Sequence, residues 1–149
     1  MKKCVLFVAL LGFSFVFSQN KNIFSSVENL KIDVKSELQK EKTEKYDKQF
    51  QNYIIALRNK DKTKVTTLLS EKVKITVNDE SLKQLSGGIN FDRKIEVYKS
   101  GIQTFSNGEN LYALQYKYAS DNSNPPKDII TVFFEDNGRI SGIKPEYNK

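Results

Sequence analysis

Neither histidine nor tryptophan occurs among the 149 residues, and the single cysteine is Cys4. That composition excludes an imidazole general base, a Ser-His-Asp or Cys-His nucleophile, and a zinc site of the usual nitrogen and sulfur ligands. Oxygen acids, phenols and lysines remain. The most concentrated grouping is a tyrosine row: Tyr112, Tyr116 and Tyr118 share a period of two with Leu114, so all four stand on one face of a strand. Such a face can pack on helices with its hydroxyls reaching the rim. It can instead form the wall of a concave, largely apolar ligand site, or dock another protein or a second copy of the chain. For a ligand site the expected wall is Tyr112, Leu114 and Tyr116, completed by Tyr53 and Phe133. Gly87-Gly88 is no phosphate cradle, because it lacks the following lysine and helix start. No cofactor and no metal are expected.

A wall needs a sheet, and a hollow needs helices to close it. Tyr46, Phe50, Tyr53, Ile54 and Leu57 recur at helical spacing and predict one amphipathic helix ending near Asn59. Asp61 then suits an N-cap for a second, shorter helix carrying Val65, Leu68 and Leu69. Val73, Ile75 and Val77 alternate with Lys72, Lys74 and Thr76, which predicts a strand with one buried face. Residues 78–93 show little regular pattern: Asn78-Asp79 and Gly87-Gly88 read as turns, with Leu82, Leu85 and Ile89 as apolar points between them.

From Lys94 onward the period of two dominates. Ile95 and Val97 share a face, and the change of parity to Ile102 and Phe105 after Ser100-Gly101 predicts a bulge there. Asn107-Gly108 signals a hairpin into the tyrosine strand. Pro125-Pro126 predicts a longer loop, since neither proline can join a ladder. Ile129, Ile130, Val132, Phe133 and Phe134 mark a central strand covered on both faces, Asp136-Asn137-Gly138 a tight turn, and 139–143 a last strand that Pro145 ends. The expected fold class is α+β, with N-terminal helices packed on a curved antiparallel sheet of about four to six strands, in a domain over 46–145.

The N-terminus reads as an export signal over 1–18, with Lys2 and Lys3 before a short apolar run, 5–17, and cleavage near Ser18. The run falls short of the about 20 apolar residues that span a bilayer, so no stable membrane insertion is expected once it is removed. Cys4 precedes the run and cannot be the lipid-bearing cysteine of a lipoprotein signal. The expected destination is the periplasm or the cell exterior, reached by a chain that folds without disulfides. Two of the 24 Lys and Arg lie in the signal, leaving 22 against 18 acids, with the two signs interspersed. That is a solvated surface and not the basic stripe with interleaved aromatics that nucleic acid requires.

Residues 19–45 form a charged segment expected to be helical. Val27, Leu30, Val34 and Leu38 make one stripe, Ser25 and Glu28 have capping-box spacing, and Glu41/Lys45 and Glu44/Lys48 are pairs four apart. Leu30, Ile32 and Val34 also alternate as a short strand would. Either one helix continues into the Phe50 segment or a charged stem precedes the domain.

The run FQNYIIALRNKDKTKVTTLLSEKVKITV, beginning at Phe50, resembles the opening of the nuclear transport factor 2-like superfamily, a cone-shaped, cystatin-like α+β fold. The resemblance rests on the spacing of Ala56, Leu57, Asp61, Leu68 and Leu69, and ITVFFEDNGRISGI, beginning at Ile130, is similar to that superfamily's last hairpin. It covers 46–143 and implies a pocket between a curved sheet and the helices. Within that superfamily the ketosteroid isomerases carry a tyrosine on the first helix and two aspartates in the cone, and Tyr53 matches the tyrosine. The aspartate positions fall on Val77 and Ile130, and Asp79 takes the base position only if the register slips by two. The expected function is an exported, non-catalytic binding module that holds a small apolar ligand or a protein partner, a second copy included, against its sheet. The alternative is an isomerase- or dehydratase-type enzyme using Tyr53 with a carboxylate, of which Asp79 is the candidate.

Overall fold

In the computed structural model, residues 37–147 are described. Helix α1 (Glu37–Arg58) opens this region. Its first turns are rich in Lys and Glu, and its inner stripe of Tyr46, Phe50, Tyr53 and Leu57 is buried. The helix is unbroken through residue 45, so residues 37–45 continue into the Phe50 segment as one helix. The expected export signal, its expected cleavage point near Ser18, and the Val27, Leu30 and Val34 positions of the expected stripe lie outside the described residues.

The α1 C-terminus closes as a Schellman motif: Asp61 N–H donates to the Ala56 carbonyl at 2.9 Å, Lys60 N–H donates to that of Leu57 at 3.1 Å, and Lys60 takes φ +57°. Asp61 then caps helix α2 (Lys62–Leu68), accepting from Lys64 N–H at 3.0 Å.

The chain next departs from the expected strand at Val73, Ile75 and Val77. Ser70 caps a short helix α3 (Glu71–Lys74), and Ile75 is 86 % exposed. The two periods coincide here: Val73 and Val77, four apart, also share a helical side, and both pack on the core. A capping serine that satisfies backbone donors locally decides for the helix. Among the described residues this segment's backbone pairing with the sheet is a parallel bridge, with Ser70 N–H donating to the Ile140 carbonyl at 2.8 Å.

The expected irregular stretch 78–93 contains helix α4 (Asp79–Gly87). Asn78 is its N-cap in a reciprocal capping box with Ser81, and Leu82, Leu85 and Ile89 fall at helical spacing on one side. What reads locally as an Asn-Asp turn is a helix start.

Four strands follow in a meander: β1 (Ile95–Thr104), β2 (Asn110–Tyr118), β3 (Asp128–Phe134) and β4 (Ile140–Tyr147). They lie in the order β1-β2-β3-β4, each antiparallel to the next. The protein is therefore α+β, with its helices preceding an open four-stranded sheet. The β1 irregularity lies between Val97 and Lys99 and not at Ser100-Gly101. Strand β4 continues through Pro145 to Tyr147, past its expected end. Beyond the Leu69 bridge at Ile140 it is an edge strand paired with β3 alone, where a residue lacking an N–H can be carried.

Tyr46, Phe50 and Tyr53 meet Tyr112, Leu114, Tyr116, Ile130, Val132 and Phe134 in the main core, on the helix side of the sheet. Leu111, Ala113 and Phe133 form a second buried cluster with Phe105 on the opposite face. Among the described residues no helix is long and apolar enough to cross a membrane.

Candidate functional site

Four of the five expected wall residues, Tyr53, Tyr112, Leu114 and Tyr116, come together between α1 and β2. Phe133 does not join them. Tyr112 pairs with Phe134 and Ala113 with Phe133, so the pleat sends Phe133 to the far face of the sheet.

The hollow they were expected to enclose is filled. The Phe50 ring lies 4.6 Å from that of Tyr116 and 6.2 Å from that of Tyr53, and Tyr53, Leu114 and Tyr116 are 1 %, 0 % and 0 % exposed. The free volume beside Tyr53, bounded by Leu69, Val73, Leu82 and Ile143, is about 10 Å³. That is about the space of one water.

The Tyr53–Asp79 pairing required of an isomerase is not assembled. Burial alone raises the Tyr53 phenol above its usual range, with no carboxylate among the causes. Asp79 sits at the start of α4 with an exposed side chain, paired to Lys62 at 2.6 Å. Tyr116 is also raised, first by burial and then by the nearby Asp47 carboxylate, yet its hydroxyl has no hydrogen-bond partner of ordinary geometry. Tyr112 is held at the rim by its hydroxyl contact with Thr43 at 2.8 Å, with Lys42 Nζ 5.3 Å from its ring centroid.

Among the described residues, two concavities of note lie outside this packed interior. The larger, about 830 Å³ and wide open, lies where the ends of α1 and α4 approach the ends of β2 and β4, between Arg58, Phe91, Arg93, Tyr118 and Tyr147. Its polar groups are largely engaged with one another. Arg93 stacks at 4.0 Å from the Tyr118 ring centroid, donates to Ser120 Oγ at 2.9 Å, and lies 3.7 Å from Asp128. Tyr118 Oη accepts from Asn90 N–H at 2.9 Å, and Tyr147 Oη donates to the Gly88 carbonyl. These contacts tie the α4–β1 connection to the sheet.

The second concavity is a groove of about 420 Å³ between α1, α2 and α4. Leu57, Val65 and Leu82 form its floor, and Lys60, Lys62, Lys83, Asp79 and Ser86 its rim. Leu57 and Val65 are buried beneath it and Leu82 is half-buried, so Leu82 supplies most of the apolar surface that faces a space of small-molecule size. The Schellman turn at Lys60 and the capping box at Asn78 set its two sides, because each fixes where a helix ends or begins. Of the expected site residues only Asp79 is here, and as a rim group. The available signals were the Leu82-Lys83 step on an amphipathic segment and a lysine at the position after a helix cap.

Among the described residues no three His, Cys, Asp or Glu side chains converge. No family model matches the chain, and neither curated proteins nor solved structures give a significant match.

Proposed function

We propose that this chain is an exported, non-catalytic binding module of nuclear transport factor 2-like build, which holds a small apolar ligand in the groove between α1, α2 and α4. The observation that carries this reading is a contrast. The space between sheet and helices is filled by Phe50, Tyr53 and Tyr116, whereas about 420 Å³ lies open between α1, α2 and α4 over the half-buried Leu82, with Leu57 and Val65 packed beneath. An apolar floor with a few polar groups at its edge is the usual form of a small-ligand site.

The family reading draws support from the order of elements, helices followed by an antiparallel meander. The irregularities at Val97/Lys99 and Phe133/Phe134 supply bends of the kind that curve a sheet. Export rests on Lys2, Lys3 and the apolar run that follows them.

The test is native mass spectrometry of the mature protein purified from its own host, beside its Leu82→Glu variant. The expected result is a retained small mass on the wild type that is lost from a folded variant. A bare wild type whose Leu57, Val65 and Leu82 methyl signals do not respond to 1-octanol would overturn the reading.

A further inference from the structure

The rim of the groove carries three lysines and one aspartate. Lys62 and Asp79 engage each other at 2.6 Å, whereas neither Lys60 nor Lys83 has a carboxylate partner among the described residues. Lys60 also occupies the left-handed region at φ +57°, the position after a helix cap where glycine is the ordinary choice. A side chain there carries a backbone cost that glycine avoids, and local packing does not offset it, because Lys60 is exposed.

Resting on the groove reading above, we propose that the ligand is a free single-chain anionic amphiphile. Its acid group sits between Lys60 and Lys83, and its chain lies along Leu57 and Leu82. Charge complementarity selects the head, since two amines without partners face a site whose one acid is already paired. The floor selects the tail. A phosphate alone would lack the apolar contact, and a neutral alcohol would lack the amines.

The experiment is a methyl and lysine chemical-shift titration of the mature chain with octanoate, 1-octanol, octyltrimethylammonium and inorganic phosphate. Octanoate is expected to bind several-fold more tightly than 1-octanol, with the cation and phosphate weakest. Lys60→Gly combined with Lys83→Gln is expected to weaken octanoate about tenfold and leave 1-octanol unchanged. Lys60→Gly alone keeps or raises Tm, because it relieves the left-handed backbone, so its loss of binding cannot be put down to unfolding. Equal binding of octanoate and octanol, both weakened by Leu82→Glu, would overturn the anionic assignment and leave the apolar groove standing. Phosphate perturbing Lys60 and Lys83 as strongly as octanoate would also overturn it. Binding of neither octanoate nor octanol would remove both readings.

Discussion

The ring of Tyr46 lies parallel to that of Phe134, centroids 4.8 Å apart and planes 15° apart, and its hydroxyl extends past the strand to donate to the carbonyls of Glu135 and Asp136 at 3.2 and 3.1 Å. One side chain on α1 thus secures both the end of β3 and the turn into β4. Tyr46→Phe keeps the stack and loses the donor, so it is expected to cost about 1 kcal/mol in urea unfolding. Tyr46→Ala is expected to cost about 3–5 kcal/mol. A Phe variant as stable as wild type would show that the hydroxyl does not anchor the turn.

Gly138 stands in that same turn at φ +87°, and a Cβ there would lie 3.3 Å from Tyr46 Cε1. Gly108 has a similar φ of +81° but open space around it. Gly108→Ala is expected to cost about 1–2 kcal/mol from the backbone alone. Gly138→Ala adds the crowding and should lower Tm further. Equal losses at the two sites would mean that Tyr46 yields without penalty.

The Tyr116 hydroxyl is buried and makes no hydrogen bond of ordinary geometry, with the Asp47 carboxylate near it. Tyr116→Phe is accordingly expected to leave stability unchanged or raise it by about 1 kcal/mol, with the Phe50 ring contact intact. A fall in Tm on thermal melting would show that the hydroxyl is bonded, with the Asp47 carboxylate as its acceptor.

Asp121 folds the β2–β3 loop around itself, accepting from Ser123 N–H at 2.9 Å and Lys127 N–H at 2.6 Å. These bonds hold its carboxyl down at about 2, against an ordinary value of 3.8. A depressed folded-state pKa stabilises above the unfolded value, and the contribution is lost as pH falls through the folded one. Unfolding free energy should therefore decline between pH 3.8 and about 2. In Asp121→Asn that portion of the decline should be missing. Identical pH profiles for the two proteins would rule out this carboxylate as its source.

Much of the fold was legible because strong periodicity leaves little choice. Tyr46, Phe50, Tyr53 and Leu57 could share a face only on a helix, and Tyr112, Leu114, Tyr116 and Tyr118 only on a strand. Asn107-Gly108 and Asn137-Gly138 placed the turns, and both glycines take the left-handed backbone that glycine alone adopts freely. Where two periods fit the same residues, as at Val73 and Val77, reading failed. The Ser70 and Asn78 caps that decided for helix at α3 and α4 act through a few local hydrogen bonds that hydrophobic spacing does not reveal. Pro145 misled because its tolerance depends on β4 lying at an edge, which follows from the order of the whole sheet.

The amino-acid sequence by itself determined the α+β class, the inward faces of α1 and β2, and the absence of imidazole from any chemistry, all of which follow from residue type and local period. Tertiary structure alone decided that Phe133 faces away from Tyr112, because strand register sets which side of a doubly apolar strand is inner. It alone decided that Phe50 closes the interior, and that Lys60, Leu57 and Lys83 border one groove. Spacing says which side chains point the same way, but whether they meet or leave a space depends on the distance between packed elements, and that distance is a property of the assembled chain.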